Sequence, residues 1–144
     1  MSERQDLATA GQRQSVPHLF PVTATPADVD GRGQVGTAAF LQWVQEAVLD
    51  HWRTVAPAEA VAAHLWVALS HEITFHRAGM LGDDLCAVLR FERVQGARAF
   101  YHAAITRGDV TLAEVRSVWC CIDAQYLRPA RLARDIVDRF FAEQ

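Results

Sequence analysis

The feature that most constrains this chain is the segment from Thr37 to about Val55. Phe40, Val44, Ala47 and Val48 recur there at the three- and four-residue steps of a helix, and Leu41, Leu49 and Trp52 carry the apolar surface further round the cylinder. The polar residues Gln42, Glu46 and Asp50, each four after the last, leave a single narrow stripe. Such a helix has too little polar surface to lie against a core with the rest of it wet, so other elements must wrap it. Pro57 ends the helix, and Ala58 to His64 reads as a short helical connection.

Elsewhere the period is two. His18 to Thr25 has the aromatic and β-branched residues of a strand, and Pro17 and Pro21 confine it to a sheet edge. After the helix come Leu65 to His76, Leu85 to Val94, Ala97 to Arg107 and Val110 to Ala124, with Gln95 and Gly96, then Gly108 and Asp109, where tight hairpin turns are needed. Ala130 to Phe141 returns to helical spacing and is expected to cap the domain. The order implies an α+β class in which one antiparallel sheet of five to six strands curls around one long central helix.

With 144 residues, 51% of them apolar, the chain suits one domain and one core. Residues 1–16, polar and without period, are expected to form a flexible tail ahead of a single domain spanning 17–144. A net charge of −3 gives no basic excess to neutralise a phosphate backbone, which argues against nucleic acid as a partner. No segment has the apolar length of a signal peptide or a membrane span, so a cytoplasmic location away from membranes is expected. Cys86, Cys120 and Cys121 are odd in number, and the adjoining pair in a strand points to opposite faces, so all three read as reduced core thiols. No metal or cofactor is implied.

Between the first strand and the helix, Pro26, Asp28, Asp30, Gly31, Gly33 and Gly36 are too dense in turn formers for any regular element. This loop delivers carboxylates to the start of a helix, where N–H groups at Thr37, helped by those of Gly36 and Ala38, lack intrahelical partners and carry partial positive charge. Asp28 and Asp30 both have the ordinary alternative of capping their own turns. Glu46 sits in the polar stripe and reads first as a solvated or dimer-facing residue. Ser70 and His71 adjoin on a strand and face opposite ways, which argues against a local hydrolase triad. Glu72 and His76 share a face, where groove lining and cross-strand pairing both explain them. Arg128, Arg131 and Arg134 have the guanidinium forks that match phosphate oxygens, or they form a solvated basic surface. Trp66 and Trp119 are the tryptophans to examine for pocket contact.

The segment from Asp28 to Trp43, with Asp28 and Asp30 two apart, Gly33 three further on, then a turn leading to Phe40 and Leu41, resembles the opening signature of the 4-hydroxybenzoyl-CoA thioesterase family of hotdog proteins. A second segment, His71 to Leu85, is similar to that family's strand ending in a small-residue turn and Gly82-Asp83. A third, Cys121 to Asp123 followed by Arg128, Pro129 and Arg131, resembles its last strand and tail. Together they span about Pro21 to Phe141 in the family's order. Where this chain has Gln34 many members have His, and where it has Gly36 and Thr37 they have Asn. The segment Gly33, Val35, Leu41 and Trp43 is also similar to the thioesterases of enediyne polyketide synthesis, which act on carrier-protein thioesters and have Asn at the position of Asp30.

The resemblance implies a hotdog fold and hydrolysis of an acyl-CoA, aromatic or of medium to long chain. Asp30 would serve as nucleophile or general base and the Thr37 N–H as oxyanion donor. Glu46 is the alternative catalytic carboxylate, because other hotdog thioesterases place theirs on the central helix. Gly33, Gln34, Gly36, Phe40, His71, Arg128 and Arg131 would line the substrate site. It also implies at least a homodimer, or a homotetramer, with sites at the subunit interface. Three rivals remain open: a thioesterase of acyl carrier protein, a hotdog dehydratase or hydratase drawing on His71 or His76, and an acyl-binding module without turnover.

Overall fold

The computed structural model describes residues 14–141. Within them, strands β1 (His18–Thr23), β2 (His64–Phe75), β3 (Asp84–Gln95), β4 (Arg98–Arg107) and β5 (Val110–Asp123) form one antiparallel sheet in the order β1-β3-β4-β5-β2. Helix α1 (Thr37–Val55) lies against its inner face, α2 (Ala58–Ala63) leads into β2, and α3 (Arg134–Phe141) closes the chain. This is the hotdog arrangement that the resemblance implied. β3, β4 and β5 form the expected meander, and each tight turn opens on a glycine with positive φ, Gly96 at 62° and Gly108 at 61°, as the first position of a II′ turn demands.

The packing explains why the sheet can curl around the helix. On its inner face Ala87, Ala99, Ala103 and Ala113 are fully buried, and their short side chains leave a trough into which Phe40, Val44, Val48 and Trp52 of α1 descend. Burying a side chain such as Val44, Leu89, Ile105 or Val115 stabilises the fold by about 1.5–3 kcal/mol each. Gln42, Gln45 and Glu46 stay exposed and Leu41 and Leu49 are half-buried, so the sheet covers a broad face of α1 and leaves the polar stripe open. At one end, Phe140 of α3 stacks on Phe91 (centroids 4.4 Å apart) and on Trp52 (5.9 Å), closing the core.

Several boundaries differ from expectation. β1 stops at Thr23 because Thr25 is recruited to a single 3-10 turn, Pro26–Asp28, whose Asp28 carboxylate accepts the Thr25 N–H. The closing helix begins at Arg134 and not at Ala130, because Pro129 bridges to Ile122 and the Ala130 N–H donates to Cys121 O, which holds that stretch against β5. In β2 a bulge between Ala68 and Ser70 adds one residue and shifts the alternation, so that His64, Trp66 and Ala68 and then His71 and Ile73 all face inward. The expected tail lies outside the described residues as far as residue 13. Ser15 is buried, and its hydroxyl donates to Phe91 O (2.9 Å) and accepts from Phe91 N–H (3.1 Å). Pro21 does mark an edge strand. Cys86, Cys120 and Cys121 are free thiols, and burial pushes Cys121 up to about 12.

Candidate active site

The loop expected to carry the chemistry folds back on itself as a small ribbon. Val29 and Val35 form an isolated antiparallel bridge, the Asp30 N–H donates to Gln34 O (2.8 Å), and the Gly33 N–H donates to Asp30 O (3.0 Å). The carboxylate of Asp30 belongs to this turn: its Oδ1 accepts the N–H groups of Arg32 (2.8 Å) and Gln34 (3.1 Å), while Oδ2 accepts no hydrogen bond among the described residues. Both bonds come from backbone within four residues, so the turn itself orients the carboxyl. Asp28 has a different task. Its Oδ2 accepts both the N–H (2.8 Å) and the hydroxyl (2.9 Å) of Thr25, capping the preceding turn.

At the start of α1 the Gly36 N–H is already committed to Asp28 O (3.0 Å), so it is not among the free donors that the sequence suggested. The N–H groups of Thr37 and Ala38 have no partner among the described residues, as expected in a helical first turn. A cavity of about 450 Å³ runs between the two parts of the site, lined by Asp28, Val29 and Asp30 on one side and by Gly36, Ala38, Ala39 and Gln42 on the other. It therefore brings Asp30 and Gly36 together with one of the free donors, Ala38. Thr37 is exposed beside it. Glu46, one turn beyond Gln42, accepts a hydrogen bond from Gln42 Nε2 (3.1 Å) and does not line the cavity.

A second cavity of about 320 Å³ lies on the other side of the ribbon, lined by Gln34, Val35, Phe40, Phe75, His76 and Gly79 among others. Phe40 is buried beneath it, its ring edge-on to Phe75 (5.8 Å) and Trp43 (5.4 Å). The first half of the segment 76–83, His76 to Gly79, forms its outer wall. That segment is laced to the Asp30 ribbon by a Gln34–Met80 bridge, by the Val35 N–H to Gly79 O (2.8 Å) and by the Leu81 N–H to Gly33 O (2.8 Å). Sequence reasoning had placed Gln34 and Phe40 here but missed Phe75, Arg77 and Gly79. Their only signal was position, at the end of a strand beside the small-residue turn.

Of the remaining candidates, only His76 lines one of these cavities. His71 faces inward with its ring against Trp119 (5.8 Å), lines neither cavity, and has a buried Nδ1 without a partner among the described residues; burial holds its pKa below the usual value. Neither Trp66 nor Trp119 lines either of these cavities: Trp66 packs edge-on to Trp52, and Trp119 Nε1 donates to Ser117 Oγ (3.0 Å). His76 Nε2 (2.7 Å) and His102 Nε2 (3.0 Å) share the carboxylate of Glu114, which those two hydrogen bonds hold below the ordinary range, while Glu72 pairs across from Arg116 on the exposed face. Arg128 and Arg131 are exposed on the segment after β5, beside the His64 end of β2. The cavities lie at the Phe75 end, about 35 Å away along a twelve-residue strand.

The sequence model of the Thioesterase superfamily matches residues 35–114. Among solved structures, this chain is similar to a probable thioesterase from Bartonella henselae, with 26% identity and a TM-score of 0.72, covering 83% of this chain and 99% of that one. It is also similar to the dynemicin thioesterase, described with polyene binding, at 18% identity and a TM-score of 0.76, with 90% and 100% covered. A 1,4-dihydroxy-2-naphthoyl-CoA thioesterase from Synechocystis aligns at 20% identity and a TM-score of 0.71, with 87% and 96% covered. The last two likenesses carry the fold alone. No curated protein matches this sequence.

Proposed function

Since the chain belongs to the Thioesterase superfamily, we propose that it hydrolyses an acyl thioester, taking an acyl-CoA, with Asp30 as nucleophile or general base. The observation that carries this reading is the cavity with Asp30 on one wall and the first turn of α1 on the other. Hydrolysis needs a base or nucleophile beside the carbonyl carbon and donors aimed at the oxygen as it becomes negative. The N–H groups of Thr37 and Ala38 supply the second, aided by the positive end of the α1 dipole. The Asx-type turn holds the Asp30 carboxyl through Oδ1 and leaves Oδ2 for the reacting carbon or its water. The Phe40–Phe75 pair beside the second cavity suits an aromatic or other apolar acyl group.

The working unit is a dimer. β2 ends the sheet with its outer edge unpaired among the described residues, and Leu65, Val67 and Leu69 are each about half exposed on it. If two such edges pair antiparallel, the His64 end of one copy meets the Phe75 end of the other. That arrangement carries the Arg128 and Arg131 segment of one subunit towards the cavities of the second, where the phosphates of coenzyme A would extend.

The test is free-thiol release from a panel of aromatic and aliphatic acyl-CoA thioesters by the wild type, Asp30→Asn and Glu46→Gln. Wild-type turnover is expected, with Asp30→Asn slower by about a hundredfold or more and Glu46→Gln close to wild type. A fully active Asp30→Asn removes Asp30 from the mechanism, and loss confined to Glu46→Gln moves it to the helix. If every CoA thioester is inert and an acyl carrier protein thioester is cleaved, the carrier assignment changes. Crotonyl thioester hydration without thiol release would mark a hydratase, and tight acyl binding without turnover a binding module.

A further inference from the structure

One ion pair beside the second cavity is connected to the candidate carboxylate by hydrogen bonds and one β-bridge. Arg107, the last residue of β4, donates from Nη1 to Asp83 Oδ2 (2.7 Å), and the same nitrogen lies 3.5 Å from Ala78 O. Asp83 Oδ2 also accepts the Met80 N–H (2.9 Å), and the Asp83 N–H donates to Met80 O (3.0 Å). Met80 bridges to Gln34, flanked by the Gly79–Val35 and Leu81–Gly33 bonds. The Gln34 N–H is in turn one of the two that hold Asp30 Oδ1. Four links therefore join Arg107 to Asp30: the ion pair, the Met80 turn, the Gln34 bridge and the Gln34 N–H.

We propose that Arg107 and Asp83 are positioning residues for the thioester reaction, a latch that sets the Asp30 turn by fixing the segment 76–83 to the end of β4. The inference rests on the thioesterase reading above. The ribbon carrying Asp30 is closed by one isolated bridge, Val29 to Val35, and its tip has no hydrophobic core of its own: Asp30, Gly31, Arg32 and Gln34 are all exposed. Its geometry must come from what it is tied to. On one side Gly36 leads directly into α1; on the other the segment 76–83 provides the tie, and Asp83 is where that segment joins the sheet. The Met80 N–H and then the Arg107 guanidinium hold the Asp83 carboxyl below its usual range. The exposed pair of Arg116 and Glu92, 3.4 Å apart on the outer sheet face, has no hydrogen-bonded path to the ribbon among the described residues.

The experiment compares Arg107→Ala, Arg107→Lys and Arg116→Ala, each alone and with Asp30→Asn. Readouts are kcat and KM for thiol release, thermal unfolding, and hydrogen exchange of the amides of residues 32–36. A misplacement of about 1 Å costs up to about a hundredfold in rate. Arg107→Ala is therefore expected to lower kcat about tenfold or more with KM little changed. A partly exposed ion pair stabilises little, so Tm should move only a few degrees. Arg107→Lys should recover part of the rate, and Arg116→Ala should match wild type. Combined with Asp30→Asn, Arg107→Ala should cost nothing further, and alone it should speed exchange at 32–36 while α1 stays protected. Unchanged kcat and exchange in Arg107→Ala overturns the latch, as does a loss of rate that persists in full when Asp30 is already Asn. If the wild type cleaves no thioester, the functional reading fails by itself, and exchange at 32–36 still decides whether Arg107 holds the ribbon.

Discussion

At the residue scale, His51 is a buried base set among polar and aromatic neighbours. It is wholly buried in α1, with Nδ1 3.3 Å from the Tyr101 hydroxyl, Nε2 without a partner, and its ring 4.8 Å from His18, which itself bonds Asp50 (2.7 Å). Burial, and after it the His18 ring, push His51 down to about 4, with Asp50 pulling the other way. In the unfolded chain the same group titrates near 6.5. Between those values the unfolded chain binds a proton that the folded chain refuses, so stability falls as pH drops from 6.5 towards 4, by at most about 3 kcal/mol from this group. Urea unfolding at pH 7, 5.5 and 4.5 should show that decline in the wild type and a shallower one in His51→Gln. Parallel declines would remove His51 as the cause. The spacing of α1 had marked position 51 only as part of a helix, because a histidine set between Asp50 and Trp52 carries no signal of its own of which way it turns.

At the scale of elements, α3 shows how eight residues hold a fold closed. Phe140, 1% exposed, stacks on Phe91 and Trp52 and meets His51 edge-on (5.4 Å), so it joins the end of α1 to β3. Phe140→Ala removes a buried ring whose loss typically costs about 3–5 kcal/mol, and chemical denaturation should show a midpoint lowered accordingly with the m-value kept. A loss below about 1 kcal/mol would mean that α3 only rests on the surface. The apolar spacing of this helix was legible, and so were α1 and all five strands, because periods of 3.6 and 2 report which face is buried. Its start was not, since the pairing of Pro129 and Ala130 with β5 is long-range in origin. The β2 bulge was equally hidden: nothing in Leu69 itself says that one strand will run a residue longer than its partner.

For the whole molecule, the unpaired edge of β2 makes the testable claim. A Lys at Val67 puts a charge in the middle of the exposed apolar row without touching the core, and light scattering should find Val67→Lys monomeric where the wild type is dimeric, with thiol release reduced. A variant that stays dimeric and fully active would exclude this edge as the interface. By itself the sequence determined the class of fold, the strand order of the meander, the edge position of β1 and the neighbourhood of Asp30 and the α1 start, because hydrophobic period, turn chemistry and helix termini are local properties. Only the tertiary structure decided that the Gly36 N–H is already taken, that Phe75 and Gly79 wall the second cavity, that Arg107 meets Asp83, and that Arg128 and Arg131 lie at the far end of the same chain. The first follows from how the loop closes on itself through backbone groups; the others depend on which distant segments the antiparallel register sets side by side, and no local pattern of side chains encodes that register.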